Sequence, residues 1–118
     1  MSNFITVERA IEMTSLYRKQ MDTILADDFK GQDVLVKSET FSREQVEKLF
    51  ANPACKHLRV YYGMDQQRRV HALLVAVDAN NEDIITTSLT EGNVLSQDII
   101  EEGDRCPPNC PPSSPLNS

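Results

Sequence analysis

The longest amphipathic stretch of the chain runs from residue 7 to residue 25. Its apolar positions recur three or four residues apart and its charged positions fall between them, as on a helix with one face against a core. Thr6 precedes the first of these positions and is suited to accept a backbone hydrogen bond as the N-cap. The pattern therefore predicts a helix over residues 7–25.

Leu16 departs from this pattern, because it projects from the polar side of the predicted helix. Single exposed leucines are common on protein surfaces, so the residue needs no function. The alternative is that Leu16 contacts a second subunit or another protein partner.

A second helix is predicted after Ser42. Ser42 and Gln45 form a capping box, in which the hydroxyl and the amide each satisfy a backbone donor at the helix start. Asn52-Pro53 ends this helix, because proline disfavours helical geometry in the residue before it. Between the two helices, residues 33–39 predict a short strand.

Three further segments have the patterns of strands. Residues 57–64 alternate apolar and polar side chains, residues 70–78 are apolar on both faces from Leu73 to Val77, and residues 84–88 form the third segment. Apolar side chains on both faces are typical of a central strand that is covered on both sides. Turn residues between the segments favour an antiparallel meander.

The pattern of residues 93–103 fits either a short helix or a strand. The second face of residues 73–77 needs a cover, which can be a part of this segment, a second subunit or the C-terminal tail. Together these elements predict an α+β fold, an antiparallel meander of three or four strands packed by two helices. The 118 residues suit one domain, placed at residues 1–103, followed by an irregular, proline-rich C-terminal tail at residues 104–118.

The net charge narrows the classes of partner. A formal charge of −6 and a pI near 4.8 disfavour binding to nucleic acid and to anionic membranes. The N-terminus lacks the basic start and the apolar run of a secretory signal, and no stretch approaches the roughly 18 apolar residues of a membrane span. With three cysteines, at least one thiol has no partner within the chain, which favours a reducing cytoplasm.

The tail contains Cys106 and Cys110, each followed by two prolines. Paired prolines favour the extended polyproline conformation, in which the two cysteine Cα atoms lie roughly 12 Å apart. A disulfide requires them within roughly 7 Å, so a bridge needs a tight turn around Pro108-Asn109. We therefore expect a stiff tail with separate sulfurs that docks onto a protein surface. The docking residues are the four prolines of the repeat, Pro107, Pro108, Pro111 and Pro112.

Metal binding is the alternative for the same cysteines. Structural zinc takes four ligands, and Cys55 and His57 can complete a set with Cys106 and Cys110. Against this, Cys55 is explained as a small buried apolar residue and His57 as a residue at a strand edge. A thiol oxidoreductase would need C-x-x-C at a helix N-terminus, whereas here the spacing is longer and prolines follow.

Motifs for other enzymes are missing from the sequence. It has no glycine-rich phosphate loop, no G-x-S-x-G and no His-Glu-x-x-His. His57 and His71 belong to neighbouring predicted strands, where they can come close, and a structural role explains them better than a role as catalytic base. We therefore assign no catalytic and no cofactor-binding residue.

A resemblance to a known family rests on four segments, AIEMTSLYR, RVYYGMD, VHALLVAVD and EEGDRCPPNCPP. Over nearly all of its length the chain resembles a family of small uncharacterised bacterial proteins that end in a C-P-P-x-C-P-P segment. The resemblance implies an intracellular bacterial setting. No activity is assigned to that family, so the resemblance implies no catalytic residue.

The sequence thus predicts a small non-enzymatic protein-interaction module that self-associates as a homodimer, without a cofactor. This prediction depends on the doubly apolar strand, on Leu16 and on the stiff tail. The alternative is a thiol-dependent protein that binds zinc or carries out redox chemistry through the C-terminal cysteines. A small-molecule enzyme with a pocket near His57 and His71 comes third.

Overall fold

The computed structural model describes residues 4–85, 99–101 and 103–117. These residues form two α-helices, one short 3-10 helix at Asp27–Phe29 and five strands. In chain order the elements are α1 (Val7–Gln20), β1 (Ser38–Thr40), α2 (Arg43–Phe50), β2 (His57–Met64), β3 (Val70–Val77), β4 (Ile99–Ile100) and β5 (Asp104–Cys106). The predicted α+β fold class is confirmed.

The described residues group into two compact units. Unit 1 joins residues 4–39 to residues 105–117, and unit 2 comprises the described residues from 40 to 104. This grouping differs from the predicted division into a domain at residues 1–103 and a separate tail. The physical reason is backbone pairing, because the amide of Lys37 donates to the carbonyl of Cys106 over 2.8 Å and β5 pairs with β1.

Helix α1 begins where the sequence predicts. The Thr6 hydroxyl accepts a hydrogen bond from the Arg9 amide at 3.0 Å, which confirms the predicted N-cap. The helix ends at Gln20 rather than at residue 25, because the chain tightens into turns in which the Leu25 amide bonds to the Asp22 carbonyl, three residues back. None of the residues of α1, all of which the structure describes, is buried.

Unit 1 buries residues from both ends of the described chain. Val34 and Cys106 are its buried apolar residues among those described, and Arg105, only 7% exposed, donates to the carbonyls of Asp33 and Val34 at 3.0 and 3.4 Å. The Tyr17 hydroxyl donates to the Val36 carbonyl at 2.7 Å. Burial raises the pKa of Tyr17, and the positive charge of Arg105 lowers it in part. The strand predicted at residues 33–39 is shorter and later, at β1.

Unit 2 contains an antiparallel sheet of three strands in the order β2-β3-β4. The β2–β3 hairpin runs from the pair His57 and Val77 to the pair Met64 and Val70, which confirms the first two predicted strands. The third strand is β4, within the segment for which the sequence allowed a helix or a strand. The strand predicted at residues 84–88 is not found at its first two residues, and its last three lie outside the described part of the chain.

Helix α2 packs on the sheet through Leu49, its one buried residue. The Ser42 hydroxyl accepts from the Gln45 amide at 3.2 Å, as the capping box predicts. The buried cluster of unit 2 comprises Leu49, Leu74, Ala76 and Ile100. On the opposite face of β3, Val75 is 1% exposed. Both faces of β3 are therefore buried within one chain, and a second subunit is not needed to cover either.

Candidate functional site

Strand β2 presents an apolar row that nothing described covers. The row consists of the even-numbered residues of the strand, Leu58, Val60, Tyr62 and Met64, all of which are exposed. Tyr62 is the most exposed of the four, at 78%. In a strand, alternate side chains share a face, so these four lie on the face that α2 covers farther along at β3. We call them the β2 row.

On the other face of β2, the side chains of Arg59 and Tyr61 make polar contacts. Arg59 donates to a carboxylate oxygen of Asp83 at 2.6 Å, and the Tyr61 hydroxyl hydrogen-bonds the other oxygen of the same carboxylate. Asp83 lies after the β3 turn, in which the Asp78 carboxylate accepts from the Asn80 amide at 2.8 Å. The two faces of β2 therefore differ. On one face, Asp83 binds two side chains, and on the other face the β2 row is exposed to solvent.

Leu16 is exposed, as its position in the helical pattern predicts. It is 61% exposed and, with Met13, lines an open groove of about 560 Å³ along α1. Ile24, in the turn after the helix, extends the apolar stripe. The structure therefore places Leu16 within a group of exposed apolar side chains rather than alone.

The expectation of separate tail sulfurs is wrong. Cys106 and Cys110 form a disulfide with their Cα atoms 4.5 Å apart. The bridge lies across a tight turn in which the Asn109 amide donates to the Arg105 carbonyl at 2.8 Å, and the bonds before Pro107 and Pro108 are cis. The tail is thus a folded part of unit 1, and the four prolines do not form an extended rod.

The four residues of the zinc alternative are not assembled as ligands. The sulfurs of Cys106 and Cys110 are bonded to each other, and the Cys55 thiol donates to the backbone carbonyl of His57 at 3.5 Å. Within residues 4–85, 99–101 and 103–117, no group of three or more His, Cys, Asp or Glu side chains could hold a metal ion. Cys55 is a half-buried thiol that packs against the core cluster of unit 2.

The two histidines lie at opposite ends of the β2–β3 hairpin. His57 pairs with Val77 and His71 pairs with Gly63, six residues away along the ladder, which is roughly 20 Å. The expectation that they come close is therefore wrong. In an antiparallel hairpin, residues early in one strand lie beside residues late in the other. His57 and His71 both lie at the start of their strands, so the pairing places the two imidazoles at opposite ends.

His71 is instead paired with Asp65, a contact that the sequence pattern did not predict. Nε2 of His71 lies 2.7 Å from Oδ2 of Asp65, and Oδ1 of that carboxylate accepts from the amides of Gln67 and Arg69 at 2.8 and 3.0 Å. The bond with His71, followed by the bond from the Arg69 backbone, holds the pKa of Asp65 well below its ordinary value. Asp65 is the first residue of the turn between β2 and β3. The turn residues and the pairing of the two strands, taken together, are the features from which this contact could have been predicted.

An open cavity of about 370 Å³ adjoins this pair. Its lining includes the side chains of Asp65, His71 and Glu101 and the apolar side chains of Met64, Leu73 and Ile99. Nδ1 of His71 is buried and has no hydrogen-bond partner in the described part of the chain. The arrangement fixes one imidazole against a carboxylate, and it does not assemble the pair of histidines that the sequence suggested.

We expect Asp65→Asn to destabilise the protein near neutral pH and the loss to shrink in acid. The pKa of Asp65 is lower in the folded chain than its ordinary value of 3.8. Its contribution is therefore fully present above that ordinary value and is lost as the pH falls toward the folded-state value. Free energies of unfolding in urea at several pH values measure this, with exposed Asp22→Asn as the control. A loss that does not change with pH would contradict the role of the charge.

No helix that the structure describes is long and apolar enough to cross a membrane. The chain matches no protein-family model, no curated protein and no solved structure. The resemblance to bacterial proteins that end in a C-P-P-x-C-P-P segment therefore stays a prediction.

Proposed function

We propose that the protein is a small non-enzymatic interaction module that self-associates as a homodimer. The observation that carries this proposal is the exposure of β2, in which five of the eight residues are large apolar or aromatic side chains open to solvent. Apolar side chains that are grouped on one element mark sites of protein–protein contact, unlike single scattered ones. The apolar stripe of α1 at Met13 and Leu16 is a second surface of this kind.

A protein partner fits this surface better than nucleic acid or a lipid headgroup does. The chain has a net charge of −6, so polyanions are repelled, whereas an apolar surface of another protein is not. Two copies of one chain present equal apolar areas, and a two-fold contact covers both at once. The sequence-based prediction of self-association relied in part on β3 and on a stiff tail. In the structure β3 is already buried and the tail is folded, so the proposal depends on the exposed side chains of β2 instead.

Light scattering after size-exclusion chromatography tests self-association. Across the micromolar range we expect a mass approaching twice the 13.3 kDa of the chain, increasing with concentration. The mass of a single chain at every concentration would contradict the proposal.

The second candidate is thiol–disulfide chemistry, and the observed Cys106–Cys110 bridge favours it. In a reducing cytoplasm, which the sequence predicts, both residues are expected as thiols. Cells quenched in acid and alkylated before purification distinguish the states by mass. A tail that is bridged in the cell would argue for an oxidising compartment and a structural bridge, whereas a tail that changes between the two states would support redox chemistry.

A further inference from the structure

We infer that the outer edge of β2 pairs with the same edge of a second copy, so that two sheets join as one continuous antiparallel sheet. This inference rests on the proposed self-association and adds the interface and its geometry. In the sheet β2-β3-β4, β2 is an outer strand, and no strand of the described residues pairs with its far edge. At eight residues it is as long as β3 and longer than the other strands described.

The backbone of β2 alternates between the two edges. Just beyond the strand, the Asp65 amide donates to the Arg69 carbonyl at 3.0 Å, and the same register continues through the pairs Gly63 with His71 and Tyr61 with Leu73. Residues that exchange hydrogen bonds in an antiparallel ladder alternate with residues that do not. The odd-numbered residues of β2 therefore direct their amides and carbonyls to β3, and the even-numbered ones direct theirs outward.

The outward backbone groups belong to the β2 row. Each of these residues presents an amide and a carbonyl at the open edge and an exposed apolar side chain on one face. Protein edges of this length are usually blocked by proline, by lysine or by a bulge. The sequence HLRVYYGM has no proline and no lysine, and its one arginine, Arg59, is held by Asp83. The edge therefore has the composition of a strand that is paired.

A second copy of β2 supplies the matching edge. Rotated by a two-fold axis through Tyr61, it places Val60 opposite Tyr62 of the second copy and Leu58 opposite Met64, so the full strand is used. Pairs of aromatic and β-branched side chains stabilise antiparallel strands. The same register brings His57 opposite Asp65 of the second copy, the residue that follows the last residue of β2. Because the contact is isologous, it closes at two copies and leaves neither β2 edge free for a third copy.

Two substitutions at one position separate the backbone from the side chain. Tyr62→Pro removes an outward amide and leaves the bonds to β3, since the amide of residue 62 does not face β3. Tyr62→Thr removes the same ring but keeps the amide and the preference for strand geometry. Because the amide is lost twice in a two-fold dimer, we expect Tyr62→Pro to weaken dimerisation roughly a hundredfold and Tyr62→Thr no more than about tenfold.

Sedimentation velocity over a concentration series measures both variants, and circular dichroism shows that each is folded. Leu16→Lys tests the competing surface on α1: if the β2 edge alone forms the interface, a charge on that other apolar surface leaves the dimer intact. Dimers in both Tyr62 variants, equal weakening of both, or dissociation by Leu16→Lys would each overturn the edge pairing while self-association stands. A wild-type chain that sediments as a single copy would overturn both the edge pairing and the proposed function.

Discussion

Replacing Leu49 by alanine is expected to lower the free energy of unfolding by about 3 kcal/mol. Leu49 is 4% exposed and is the residue through which α2 contacts the cluster of Leu74, Ala76 and Ile100. Shortening it removes apolar contacts on both sides and leaves a cavity between a helix and a sheet. At the edge of a core, neighbouring side chains can move in to fill such a gap. Leu49 is the one buried residue of α2, so the helix has no second buried side chain to fill it.

The neighbouring residue provides the control for this prediction. Phe50 is 52% exposed on the same helix, so Phe50→Ala should change the free energy of unfolding by no more than about 0.5 kcal/mol. Urea unfolding followed by circular dichroism measures both, with the slope against urea compared between variants. Equal losses for the two substitutions would show that α2 does not pack through the face that Leu49 defines.

Removal of the bridge by Cys106→Ser with Cys110→Ser is the second large effect. The bridge closes a short loop, which contributes about 2 kcal/mol by restricting the unfolded chain. Cys106 is 2% exposed, so a serine there buries a hydroxyl and adds about 1 kcal/mol of loss. We expect a total of about 3 kcal/mol, concentrated in unit 1, where Lys37 and Arg105 adjoin the bridge.

A thiol reductant is the matched control for the double variant. Dithiothreitol should lower the thermal midpoint of the wild-type chain toward that of the double variant and should leave the double variant unchanged. Cys55→Ser, at the thiol that is not bridged, should respond to the reductant as the wild type does. If the reductant leaves the wild-type midpoint in place, the bridge does not stabilise unit 1.

The parts of the fold that were predicted correctly depend on local chemistry. Thr6 and Ser42 each precede an amphipathic segment, and a hydroxyl at that place satisfies backbone donors within three residues. The β2–β3 hairpin follows from alternating side chains and a turn between them. In these cases the deciding contacts lie within a few residues, so the sequence pattern contains them.

The tail was predicted incorrectly because its geometry is decided elsewhere. Paired prolines fix one backbone angle of each residue, and in an isolated segment they favour extension. In the folded chain, β5 pairs with β1, and the Arg105 side chain reaches carbonyls more than 70 residues away. Contacts over such separations are not contained in any local pattern, and the division into two units was missed for the same reason.

The β2 row could be predicted only in part from the sequence. The alternation in residues 57–64 identifies which side chains share a face, and the structure confirms that assignment. The alternation does not predict the order of the strands in the sheet, because the same pattern is compatible with a covered strand and with an outer one. Likewise, the contact between Asp65 and His71 depends on a register that composition alone does not provide.

The division of unit 1 between the two ends of the described chain has a consequence for biosynthesis. Val34 and Arg105 are 71 positions apart, and everything between them must leave the ribosome before the two can meet. Unit 2 is translated in that interval, so it can close before Arg105 reaches the carbonyls of Asp33 and Val34. Domains usually fold in the order in which they are translated, whereas in this chain the second unit can be complete before the first.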